Sequence, residues 1–225
     1  WQLILWLAPF VKDRAGNKVK NPLSVLSRWK IFDNMRRSLV APAQLLTIIL
    51  AFGMLPKEGM VWLLFALFTL GISLVSAAVD GIVLKHYRFC REKRHCTIVY
   101  GCKAVLYQVF LLFAFLPYQA YMMGDAIIRT LFRVFITKKN TLEWVTAADA
   151  EKHLKNDIVS YWRRMWMSVP IGAIPLISSL LWENTLLPIA FVFFLIWSGA
   201  PFIAYAVSRT EKKKEEPLSE QDEQL

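Results

Sequence analysis

The chain has 225 residues, 56% of them hydrophobic, with nine Trp, a mean hydropathy of +0.39 and a formal charge of +10. Soluble domains are rarely this apolar, so the length counts membrane segments rather than globular domains. The basic residues are scattered among apolar runs instead of gathered on one aromatic-interleaved face, which points to anionic lipid headgroups as the partner and excludes nucleic acid.

The first residue is Trp, which predicts a piece of a longer polypeptide or a processed product. Residues 1–10, WQLILWLAPF, are apolar but too few to cross about 30 Å of hydrocarbon as a helix, so they are expected to lie on a surface. Residues 11–20 read as a basic loop. Residues 21–38, NPLSVLSRWKIFDNMRRS, predict an interfacial helix with Asn21 as N-cap and Pro22 at the first helical position. Val25, Trp29, Phe32 and Leu39 recur at helical spacing with Met35 beside them. Ser27, Lys30, Asn34 and Arg37 fall opposite, forming a basic face turned toward headgroups.

Residues 39–55 are the first spanning candidate, with Pro42 in its first turn, and residues 60–79 form a second run without a charge. Residues 80–103 carry six Lys and Arg together with Cys90, Cys96 and Cys102, an odd set without metal-ligand spacing that predicts reduced, structural thiols and no metal site. Residues 104–124 are mostly apolar, interrupted by Gln108, Pro117 and Gln119. Residues 125–136 are amphipathic, with Asp125, Arg129 and Arg133 stacked at i, i+4 and i+8. Residues 142–155 predict a short cytoplasmic helix. Residues 165–182 and 186–207 predict a second hairpin, the former kinked by Pro170 and Pro175. The charged stretch 208–225 predicts a solvated, disordered tail or linker.

Charge decides how the middle is counted. With an even number of crossings between residues 97 and 136, every Lys and Arg except Lys57 lies on one side, 26 of the 27. The positive-inside rule therefore favours a hairpin, rising over 97–116 and returning over 117–136, or no crossing at all. The expected fold is an all-α polytopic transmembrane bundle of six spans, with four as the alternative, behind an N-terminal interfacial helix. The basic loops and tail would then be cytoplasmic.

No phosphate-binding loop, dinucleotide fingerprint, HExxH or activated nucleophile is present, so no catalytic residue is assigned. Asp125, Arg129 and Arg133 are candidates for a polar path, set against the simpler reading that Asp125 pairs with Arg129 while the arginines snorkel to the interface. Aromatic residues such as Trp62, Tyr118, Trp162 and Trp197 offer flat faces for sugar rings, though many sit at span ends as an interfacial belt does.

At NPLSVLSRWKIFDNMRRSLVAP, and again at LPYQAYMMGDAIIRTLFRVFITKKNTLEWVTAADAEKHL, the chain resembles the membrane part of cyclic β-1,2-glucan synthases of the bacterial inner membrane. The resemblance implies a membrane domain beside a cytoplasmic glycosyltransferase domain that moves glucose from UDP-glucose, with a divalent Mg or Mn ion, onto a growing β-1,2-glucan. Trp1 and Gln2 match the end of a G-D-W-Q-like sequence that closes the catalytic domain in that family. They and the collar residues Trp29 and Phe32 are thereby implied on the acceptor side, where the helix would floor the active site and steer the glucan chain. The alternatives are a transporter or channel module and a non-catalytic membrane anchor.

Overall fold

The computed structural model describes residues 1–12, 16–53, 58–84, 94–139, 157–182 and 185–209, with backbone alone at residues 12, 73–84 and 94–102. The expected helix at 142–155, the basic stretch 85–93 and the tail from 210 lie outside the described residues, as do the side chains of the three cysteines.

Helices dominate, as the composition predicts, but the chain opens with something else. A 3-10 turn at Ile4–Leu7 leads into a small antiparallel hairpin of β1 (Phe10–Lys12) and β2 (Lys18–Lys20), paired Phe10 to Lys20 and Val11 to Val19. The basic loop expected at 11–20 is therefore a hairpin. Gly16 in the left-handed region (φ 84°) takes its turn, a conformation that glycine adopts without steric cost.

Helix α1 runs unbroken from Val25 to Gly53. It merges what the sequence separates into an interfacial helix and a first span. Asn21 is not its N-cap: its amide donates to the carbonyls of Trp6 (2.7 Å) and Ala8 (2.8 Å), while its side-chain oxygen accepts from the Leu23 N–H (2.9 Å). Ser24 caps instead, its Oγ accepting from the Ser27 N–H at 3.2 Å, which meets one of the donors a helix start leaves open. Pro42 lies inside the helix rather than in its first turn.

Helix α2 (Gly59–Leu84) matches the second predicted run. Helices α3 (Arg94–Ala114) and α4 (Leu116–Phe132), the latter extended by a π turn at Arg133–Thr137, meet at Phe115. Their axes bend by 59° there, far from the near-reversal that the expected hairpin requires. Of the second predicted pair, the run 165–182 is one helix with a further short helix before it, and the run 186–207 is two helices. Helices α5 (Ile158–Met165) and α6 (Ser168–Leu181) bend by 52°, and α7 (Leu187–Ser198) and α8 (Ala200–Val207) by 46°.

Each bend has a proline just beyond it: Pro117, Pro170 and Pro201. Proline cannot donate to the carbonyl four residues back and its ring crowds that carbonyl, so the helix restarts in a new direction. Pro170 thus begins α6 instead of kinking its middle, and Pro175 alone lies inside that helix. The freed groups find other donors. The Trp166 carbonyl accepts from the Val169 N–H (3.1 Å), and the Phe113 carbonyl from the Trp197 indole (2.9 Å).

The core forms where α1, α2, α4 and α7 meet, around Ile48, Phe52, Leu63, Leu116, Ala190 and Trp197. Phe113, Phe193 and Trp197 pack with centroids 4.7–5.7 Å apart, and Phe52 meets Phe193 edge-on at 5.7 Å. Outside that core, large apolar residues face outward on successive turns, as Val61, Leu64, Phe65, Phe68 and Ile72 do on α2. By length and apolarity α1 is sufficient to cross a membrane among the described residues, and up to four such elements result if each bent pair counts as one.

Candidate functional site

The N-terminal residues are fastened to the first half of α1. Trp1 donates its indole N–H to Ser38 Oγ (2.7 Å), and Ser38 Oγ donates in turn to the Met35 carbonyl (2.7 Å). Asn21, through the contacts given above and its backbone bond to the Pro9 carbonyl (3.0 Å), ties the other end of the segment to the helix start. Along the same stretch Asp33 bridges Arg36 (2.8 Å) and Arg37 (2.7 Å), one and both being exposed pairs of small net worth. The hydrogen bonds from Arg36 and then Arg37 hold the Asp33 carboxyl below its ordinary range.

Helix α4 packs along this half of α1, and between them and the N-terminal segment lies a cavity of about 730 Å³. Trp1 and Gln2 line one wall. Lys30, Asn34 and Ser38, one helical turn apart on α1, line the second with Arg37, and Met123, Ala126, Ile127 and Thr130 of α4 the third. A smaller space of about 380 Å³ adjoins it, sharing Arg37 and Met123 and adding Gln44, Thr69, Gln108 and Gln119. There Gln44 donates to Thr69 Oγ1 at 3.3 Å. Amides, hydroxyls and two cationic groups against an indole and an apolar helix face suit a neutral, many-hydroxyl ligand, whose donors and acceptors need partners on all sides.

The structure divides the residues singled out from the sequence. Trp1 and Gln2 line the cavity. Trp29 and Phe32 do not: they are exposed at 60% and 47%, their rings 5.8 Å apart on the outer side of α1. Asp125 and Arg129 form an ion pair at 2.7 Å on the exposed face of α4 and are not among the residues lining the cavity. Arg133 begins the π turn, its carbonyl accepting from the Lys138 N–H at 2.7 Å. Lys30 and Asn34, expected to face headgroups, face α4 across the cavity. Asn34, Ser38 and Thr130 were legible only as polar residues at helical spacing, since nothing in one helix says what its polar face will meet. Among the described residues no three His, Cys, Asp or Glu side chains converge.

Helices that turn large apolar side chains outward and polar ones toward an internal cavity have the organisation of a membrane-associated helical domain. The chain is 32% identical over 217 residues, 96% of its length, to the cyclic beta-(1,2)-glucan synthase NdvB of Rhizobium meliloti (strain 1021), and spans 7% of that protein. It is thus related to a segment of a glucan synthase, as the two quoted stretches imply. No protein-family model matches it.

Proposed function

We propose that the chain is the membrane domain of a cyclic β-1,2-glucan synthase-like glycosyltransferase, holding a catalytic domain at the cytoplasmic face and seating the acceptor glucan in the cavity beside Trp1. The observation that carries this reading is the similarity to NdvB along 96% of the chain. Transfer from UDP-glucose, with its divalent ion, is assigned to other parts of the polypeptide.

Four crossings fit the geometry better than six. At 1.5 Å per residue, the 12 residues of α7 give about 18 Å, and the 8 of α8, tilted by 46°, add about 8 Å. The 14 residues of α6 and 8 of α5, bent by 52°, give about 28 Å in the same way. Both approach the roughly 30 Å hydrocarbon thickness, so each bent pair serves as one span beside α1 and α2. Helices α3 and α4, bent by 59°, are assigned as a re-entrant element on the charge count and not on the bend angle, which is close to the 52° of α5 and α6. That keeps the even count which the distribution of Lys and Arg favours.

In this arrangement the exposed Trp29 and Phe32 enter the acyl boundary while Asn34, Ser38 and Thr130 bind sugar hydroxyls. Filling the cavity in the full-length protein with Asn34→Leu and Thr130→Leu removes two hydrogen-bonding partners at about 0.5–1.5 kcal/mol each, enough for about a tenfold loss of β-1,2-glucan synthesis from UDP-glucose in isolated membranes. Undiminished synthesis by membranes holding normal amounts of that variant would exclude the cavity from the acceptor path. The same membranes washed in alkaline carbonate should keep the protein; its release would exclude the spanning reading.

A further inference from the structure

A further opening, apart from the cavity beside Trp1 but sharing Gln119 with the smaller space next to that cavity, lies where α4 begins, α5 ends and α8 passes. It encloses about 290 Å³ and is lined by Tyr118, Gln119, Tyr161 and Arg164, with Phe115, Met165 and Ala204 as its apolar walls. Helices α5 and α8 are held together there by ring contacts, Tyr161 against Tyr205 (6.0 Å) and Trp162 against Phe202 (5.4 Å). Arg164 makes no ion pair among the described residues. Around the opening the chain reads Tyr161, Trp162, Arg163, Arg164, Met165, Trp166, the mixture of indole, phenol and guanidinium that gathers where hydrocarbon gives way to headgroups. Below it, exposed Trp166 and Phe202 continue the apolar surface outward.

We propose that this opening holds the phosphate headgroup of an anionic phospholipid, resting on the bilayer placement above. A guanidinium offers paired donors to a phosphate diester, and two phenols and an amide add neutral donors that a bare cation patch lacks. The apolar walls and the outward aromatic surface favour a phosphate that carries acyl chains over one that is free in water. The space is too small for a glucan segment of several residues, which separates it from the acceptor cavity in size as well as in chemistry.

The test is titration of the purified full-length protein in mixed micelles with phosphatidylglycerol or phosphatidylcholine, read by native mass spectrometry. Arg164→Gln should weaken phosphatidylglycerol binding about five- to tenfold, and Tyr118→Phe with Tyr161→Phe should weaken it less. Arg163→Gln, one residue away with the same charge but outside the lining, should stay within about twofold of wild type. Equal losses from Arg163→Gln and Arg164→Gln, or no loss from Arg164→Gln, would overturn the site. Displacement of the lipid by millimolar inorganic phosphate would show a soluble-anion site and overturn the lipid assignment. Carbonate extraction of the same proteins separates the two readings: release of the wild type removes the bilayer placement, whereas an extraction-resistant Arg164→Gln that keeps its lipid removes this site alone.

Discussion

The Trp197 indole carries the clearest residue-level consequence. Pro117 deprives the Phe113 carbonyl of its helical donor, and Trp197, buried in the core, supplies one across the bundle at 2.9 Å. Trp197→Phe leaves that carbonyl orphaned at about 1–3 kcal/mol and leaves space where the larger ring was. The expected result is a Tm lower by several degrees in detergent, followed by tryptophan-independent circular dichroism. Pro117→Ala restores an N–H at the position that would reach Phe113, so the double variant should recover part of the loss. Strict additivity of the two substitutions would remove the proposed connection.

The collar shows what one residue's surroundings conceal from sequence. Asn21 has the chemistry of an N-cap and stands before Pro22, yet its amide is drawn to Trp6 and Ala8 because the hairpin at residues 10–20 folds the chain back beside it. Ser24 then takes the cap. Asp33 stands three and four residues before Arg36 and Arg37 and pairs with both. Because its folded pKa is lowered, any stabilisation from this pair is present above the ordinary carboxylate range and fades as pH falls through the folded value. Asp33→Asn should therefore change unfolding slightly at neutral pH and not at all once the wild-type carboxyl is protonated, as paired melts across pH would show.

At the scale of elements, prolines matter more than hydrophobic runs. Runs at 165–182 and 186–207 gave the location of two apolar elements correctly. The break that sets α6 off from α5 before it, and the division of the second run into α7 and α8, lie in single residues, Pro170 and Pro201, whose effect on direction depends on what the neighbouring helices can donate. The cavity was still less legible. Lys30, Asn34 and Ser38 share a helix face in sequence, but only the packing of α4 against α1 turns that face inward. Between α1 and α2 the approach is closer than any side chain permits: a Cβ at Gly59 would collide with the Ala51 carbonyl and touch Leu186. Where lipid replaces water, such close backbone approach contributes van der Waals contact that burial alone does not. Gly59→Ala should force the helices apart and cost about 1–3 kcal/mol, seen as faster inactivation of detergent-solubilised protein.

For the molecule as a whole, the consequence that separates readings is the position of Phe115. A six-span chain puts the turn between α3 and α4 on the far side of the membrane, level with the turn near Thr185. A chain of four spans leaves Phe115 within the bundle, beside the core residues Ala114 and Leu116, which are almost wholly buried. The 59° bend supports the second, whereas the charge distribution does not choose, since four or six crossings alike would leave 26 of the 27 basic residues on one side. With Cys90, Cys96 and Cys102 replaced by Ser, single cysteines can be introduced as Thr185→Cys, Phe115→Cys and Lys138→Cys and treated in intact cells with a membrane-impermeant maleimide that has access to the periplasm. Thr185→Cys should react at once and Lys138→Cys only after the inner membrane is opened. Phe115→Cys should remain unlabelled in intact cells; labelling at the rate of Thr185→Cys would restore the hairpin and with it six crossings. The acceptor cavity would then have to be rebuilt around an α4 that spans the bilayer, and the polar residues Gln108 and Gln119 would face each other across a complete transmembrane hairpin instead of lining a pocket shared by α1, α2, α3 and α4.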